Sequence, residues 1–153
     1  VNAGSDPPPP TTAATDLRSY LLGRWRLDRG ISTPEGGELG TFTGTAEFTD
    51  AAPDLLRYRE EGQLRFGTHV GPAYRTLWYR TTGAATAEVT FDHGGFFHTV
   101  DLSASRWNAE HLCVADLYQV EYLVRTEDTW TQRWRVTGPA KNHVITTHYS
   151  RSG

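Results

Sequence analysis

The residues best suited to chemistry gather in the second half of the chain. The densest polar set is His111, Cys113, Asp116 and Tyr118. A cysteine two residues from a histidine suits a nucleophile whose thiolate forms by proton transfer to imidazole. It also suits a small apolar cysteine beside a surface histidine. In an extended strand His111 and Cys113 share one face, and Asp116 and Tyr118 share the other. A β-bulge at Val114–Ala115 would add one residue and bring all four together.

His98 is the second centre. In Phe96–Leu102 it shares a face with Phe96, Val100 and Leu102. Desolvation there would leave a neutral imidazole at pH 7, either a base or a core histidine bonded to a backbone carbonyl. Glu60 falls on the inward parity of Leu56 and Tyr58, where a carboxylate needs a partner, a ligand or a proton. Arg75 and Tyr79 share a face with Leu77, and Arg75 is expected opposite Glu60 as a buried pair that a polar ligand could complete. Trp130, Gln132 and Trp134 alternate inward, first as core and second as a stacking platform. Lys141, the only lysine, follows a Gly-Pro turn, where it is either solvated or a carboxylate binder.

Other chemistries lack their motifs. His98, His111, Asp116 and Glu60 are metal-ligand types, but no tight His-x-His or His-x-x-x-His spacing joins them, and no metal is expected. Haem ligation by a histidine would need a wide apolar pocket. Phosphate loops, nucleophile elbows and RNA-binding aromatic motifs are missing from the sequence.

Strands must position these groups. The chain has 153 residues, enough for one domain, with 7 tyrosines, 6 phenylalanines and 5 tryptophans. β-branched and aromatic residues suit half-buried strands. Thr41–Thr49 alternates cleanly, with Phe42, Gly44, Ala46 and Phe48 on one face. Strands are predicted at 24–28, 41–49, 55–61, 63–70, 73–82, 86–92, 95–103, 112–126, 129–137 and 143–151, with turns at Glu61-Gly62 and Gly71-Pro72 among others. Asp16 is a candidate cap for a helical turn over Leu17–Leu22. Residues 1–16 read as a Pro-rich tail and 17–153 as one domain.

A meander this long, with no long helix to cover a face, is expected to close, because open edges invite association. The predicted fold is all-β: a single antiparallel up-and-down barrel with a short N-terminal helix or turn. Barrels near eight strands either fill their interior or hold one small ligand. Net charge is −3 without basic or acidic blocks, which argues against a nucleic-acid partner. No apolar run is long enough for a membrane helix. One cysteine rules out an intrachain disulfide and leans towards the cytoplasm.

Two resemblances follow from motifs. Gly23-Arg24-Trp25 resembles the Gly-x-Trp opening of lipocalins and other calycin barrels, which implies a tryptophan closing the barrel floor under a late-strand arginine: Arg133, Arg135 or Arg151. That cation–π plug would contribute roughly 1 kcal/mol. From about residue 17 the chain also resembles DUF6314, a bacterial family with no settled activity. The matching segments are Leu-Gly-Arg-Trp, Phe42–Ala46, Phe97-His98, Asp101-Leu102, His111-x-Cys113, Asp116-x-Tyr118 and Trp134 to Lys141. This resemblance implies a single domain and no substrate.

The expected function is binding of one mostly apolar organic molecule carrying a polar group, without a cofactor. Arg75, Tyr79, His111, Cys113, Tyr118, Trp134 and Lys141 are the candidate ligand-binding residues. The alternative is a cofactor-independent isomerase, cyclase or lyase in which His98 pairs with Asp116 or Glu60 as acid and base.

Overall fold

The computed structural model describes residues 16–152. The expected Pro-rich tail, apart from Asp16, lies outside the described residues. A five-residue helix, α1 (Leu17–Leu21), precedes ten strands. These are β1 (Gly23–Ser32), β2 (Glu38–Ala52), β3 (Leu55–Phe66), β4 (His69–Thr81), β5 (Thr86–Phe91), β6 (Phe96–Asp101), β7 (Arg106–Cys113), β8 (Asp116–Val124), β9 (Thr129–Thr137) and β10 (Asn142–Arg151). Asp16 caps the helix by accepting from the Ser19 backbone N–H. No helix of the described residues is long and apolar enough to cross a membrane.

The sheet runs β6-β5-β4-β3-β2-β1-β10-β9-β8-β7. Pairing of β1 with β10 joins the two halves, setting Trp25 against Arg151 and Ile31 against Ile145. The seam between β6 and β7 has no ladder. Trp107 Nε1 bridges it by donating to the Thr99 carbonyl at 2.9 Å, and Phe97 meets His111 across it. The result is the nearly closed antiparallel up-and-down barrel expected from the alternation.

The structure corrects several boundaries. Glu61-Gly62 is not a turn but the middle of β3. Gly62 faces Gly44 of β2, and a side chain on Gly44 would strike the Glu61 carbonyl, as one on Gly62 would strike that of Thr43. The glycine pair lets two long strands bend against each other. The real turn has Gly67 at φ 60°, and Gly71-Pro72 lies within β4. β7 escaped prediction from its start because none of its residues is fully buried, so its apolar alternation is weak. The expected single strand over 112–126 is divided by a two-residue hairpin turn at Val114–Ala115, with Val114 at φ 57°, rather than bent by a bulge. In β6, Phe96 was expected inside but is exposed. A register slip opposite Val89/Thr90 leaves Phe97 unpaired with β5, and Phe97 is buried in its place.

Burial separates the two ends of the barrel. At one end, α1 packs Leu17 and Leu21 into the core, and Trp25 donates from Nε1 to the Leu21 carbonyl at 2.9 Å. Of the three candidate arginines it is Arg151 that covers Trp25, 3.9 Å from its ring centroid, while donating to the Leu22 and Tyr20 carbonyls at 2.8 Å each. Above this plug lies an aromatic layer. Trp130 is stacked between Tyr149 at 3.8 Å and Tyr122 at 5.6 Å, with Phe48, Tyr58 and Tyr79 alongside. Such pairs each add about 0.5–1.5 kcal/mol beyond their buried area. The other end is less filled.

Candidate functional site: a cavity above an arginine–glutamate floor

Inward parity carries polar side chains into the layer above the aromatics. Arg29 follows Trp25 and Leu27 along the inner face of β1, and Glu60 follows Tyr58 along that of β3. Arg29 donates twice to Glu60, at 2.9 Å to each carboxylate oxygen, and its Nε donates to Thr147 Oγ1 at 2.8 Å. The Tyr58 hydroxyl donates to Glu60 and lies 2.8 Å from the Tyr149 hydroxyl. Arg75, register partner of Glu60 on β4, has its Nε 3.3 Å from Glu60 Oε1. That contact is charge against charge without hydrogen-bond geometry.

Burial pushes the Glu60 carboxyl up, but the Arg29 hydrogen bonds and the charges of Arg75 and Arg29 outweigh it and hold the pKa at about 2. Glu60 is thus an ionised, satisfied structural anion at neutral pH. Burial likewise raises the hydroxyls of Tyr58 and Tyr149.

Over this floor stands a cavity of about 340 Å³, open at the barrel mouth. Its walls are mainly apolar and include Phe42, Leu64, Phe97, Trp134, Val136 and Ile145. Phe97 and Trp134 stack with centroids 4.8 Å apart. Arg29, Glu60 and Arg75 line the same space.

Four of the sequence-derived residues, Glu60, Arg75, Tyr118 and Trp134, meet at this cavity. Tyr79 does not. It lies buried in the aromatic layer, its hydroxyl 2.8 Å from that of Tyr122, because the inward parity that fits Arg75 to the cavity sets Tyr79 four residues deeper. His98 is also fully buried, edge-on to Trp134 and Phe97. Its Nδ1 faces the Thr99 carbonyl at 3.0 Å; a carbonyl only accepts, so Nδ1 carries the proton. Its Nε2 has no partner among the described residues. Burial lowers its pKa to about 4, despite the hydrogen bond to Thr99, so the ring is neutral at pH 7.

The polar set around His111 does converge, through the hairpin rather than a bulge. His111 pairs with Tyr118 and Cys113 with Asp116 across the β7–β8 turn. Asp116 Oδ2 lies 3.3 Å from Lys141 Nζ, which also donates to the Tyr118 hydroxyl at 3.2 Å. Gly138 permits this, since a side chain there would strike the Asp116 carboxylate. Cys113 is exposed at the hairpin. The expected acid–base couple is not assembled. Asp116 is tied to Lys141 at the mouth, Glu60 to Arg29 on the floor, and His98 to a backbone carbonyl. Among the described residues no three metal-ligand side chains cluster.

The sequence reading missed Arg29 and Phe97 as cavity residues. Arg29 was detectable, two positions beyond Leu27 on the inner parity of β1. Phe97 was not, because the register slip reverses its face.

Fold and interior together define a calycin-like up-and-down barrel with a plugged end and an open one. The chain belongs to a family of unknown function, DUF6314, whose model matches residues 21–151. No curated protein matches the sequence. Among solved structures, the S-type phycobiliprotein lyase of Guillardia theta superposes with a TM-score of 0.68 at 10% identity, covering 93% of this chain and 94% of that one. A protein of M. tuberculosis gives 0.60 at 15% identity, over 88% and 94%. The mFAP2b barrel solved bound to DFHBI gives 0.51 at 12% identity, over 92% and 100%. At these identities the likeness is one of fold.

Proposed function

We propose that this protein is a binding barrel that takes one small, mostly apolar organic molecule through its open end, the polar part of the ligand meeting the Arg29–Glu60–Arg75 floor. The observation that carries the reading is the coexistence, in one half-open cavity, of apolar walls and a buried charged floor. Ligand sites combine these features: concave, largely apolar, with few polar groups to fix orientation. A volume of about 340 Å³ falls at the low end of such sites. The exposed apolar residues Phe66, Val70, Phe96, Leu112 and Val114 all sit at or beside the hairpins of the open end, which suits entry of an apolar molecule. The structural relatives named for a phycobiliprotein lyase and for a barrel bound to DFHBI are compatible with this use of the fold. An exposed free thiol at Cys113 suits a reducing compartment such as the cytoplasm.

The test uses N-phenyl-1-naphthylamine, a neutral dye that fluoresces in apolar surroundings. One dye per protein should bind, and Ala73→Trp, which fills the cavity from β4, should abolish the signal while the protein stays folded. Unchanged dye binding in Ala73→Trp would sink the reading. The acid–base alternative rests on His98, whose Nε2 has no partner among the described residues and meets neither Asp116 nor Glu60.

A further inference from the structure

We infer that the molecule held in this cavity is an organic anion, with a carboxylate-type group that docks on the Arg75 guanidinium. The inference rests on the binding-barrel reading and specifies its ligand class. Its first ground is charge. Two guanidiniums and one carboxylate face one another on the cavity floor, leaving one positive charge in excess. Among the described residues that line the cavity no other charge offsets it. His98 is buried and edge-on to the cavity wall, and Asp116 is committed to Lys141 at the mouth. That excess faces the cavity with no anion opposite it, so an anion entering there gains its attraction.

The second ground is the difference between the two arginines. All three guanidinium nitrogens of Arg29 donate, two to Glu60 and one to Thr147. The hydrogen bonds to Glu60 come from Arg29 and Tyr58, and none from Arg75. The buried Nε of Arg75 is set against Glu60, its Nη groups make no hydrogen bond among the described residues, and its side chain, 39% exposed, lines the cavity. A guanidinium fork matches a carboxylate through two parallel hydrogen bonds. Glu60, in contrast, has both oxygens occupied and is only 4% exposed, so a cationic ligand would find no free acceptor on the floor. Apolar walls above complete a site for an amphiphile bound head down.

Decanoate and 1-decanol share a chain and differ in charge at the head. Each is titrated against protein carrying N-phenyl-1-naphthylamine at pH 7. Decanoate should displace the dye at least tenfold more effectively than decanol, and in Arg75→Gln the preference should fall below about threefold. Equal displacement by both, or a preference that survives in Arg75→Gln, overturns the anion inference and leaves the binding reading standing. Failure of the dye itself to bind overturns both. Should Arg75→Gln not fold, Arg75→Lys keeps a cation beside Glu60 but loses the fork. It should keep a preference reduced by loss of the fork, and a preference unchanged from wild type would overturn the role of the guanidinium fork in anchoring the anion.

Discussion

Glu60→Gln isolates the electrostatics of the barrel floor. The substitution keeps the shape of the side chain and removes the one anion facing Arg29 and Arg75. Two guanidiniums are then left close together in a largely buried layer. Removing one partner of a buried ion pair costs about 3–5 kcal/mol. The lowered pKa gives a similar figure: a carboxyl held at about 2 instead of 4.5 corresponds to about 3 kcal/mol of stabilisation by the ionised form. For a domain of this size that is a fall in Tm of roughly 10 °C. The loss should be measured by urea denaturation at pH 7 and repeated at decreasing pH. Because Glu60 is more acidic in the folded state than in the unfolded chain, its contribution is complete above pH 4.5. It declines as the pH falls towards 2, where the folded-state carboxylate also takes up its proton. The gap between wild type and Glu60→Gln should therefore be constant above pH 5 and close below pH 4. A gap under 1 kcal/mol at pH 7, or one that widens in acid, would show that the floor is not the buried ion cluster described.

His98 should give a separate acid response. Its folded-state pKa of about 4 lies below the 6.5 of an unperturbed imidazole, so the unfolded chain takes up a proton first and stability falls as the pH drops from 6.5 to 4, by about 3 kcal/mol. His98→Phe should flatten that part of the urea-midpoint profile, and the Thr99 carbonyl stays paired to Trp107. An unchanged slope would mean that His98 titrates normally. At the plugged end, Arg151→Lys removes the fork that binds the Leu22 and Tyr20 carbonyls over Trp25. It should destabilise by about 2 kcal/mol in thermal or urea unfolding, and a change within 0.3 kcal/mol would deny the plug its role.

Much of the architecture could be read from residue order. Alternation in β2 put Phe42, Ala46 and Phe48 on one face, and all three are buried. The same parity put Glu60 inside with Tyr58, set Arg75 opposite it, and buried Trp130, Gln132 and Trp134 together. Gly-Arg-Trp indicated the plugged end, but three arginines were eligible to cover it. Register chose Arg151, which pairs directly with Trp25.

Period-two patterning is a local property, so the sequence by itself determined strandedness, inner and outer faces, and hence which polar side chains enter the barrel. Distances between strands far apart in the chain are not local. Whether Glu60 met a histidine, a ligand or an arginine depended on the curl of β1–β3, which brought Arg29 to it, and on closure by β10, which set Thr147 against Arg29. One slipped register decided that Phe97 lines the cavity, and one two-residue turn decided that Asp116 reaches Lys141 rather than His98. Only the tertiary structure could make those choices, because each depends on how strands line up across the ring, and a shift of one residue there exchanges the inside of the barrel for its outside.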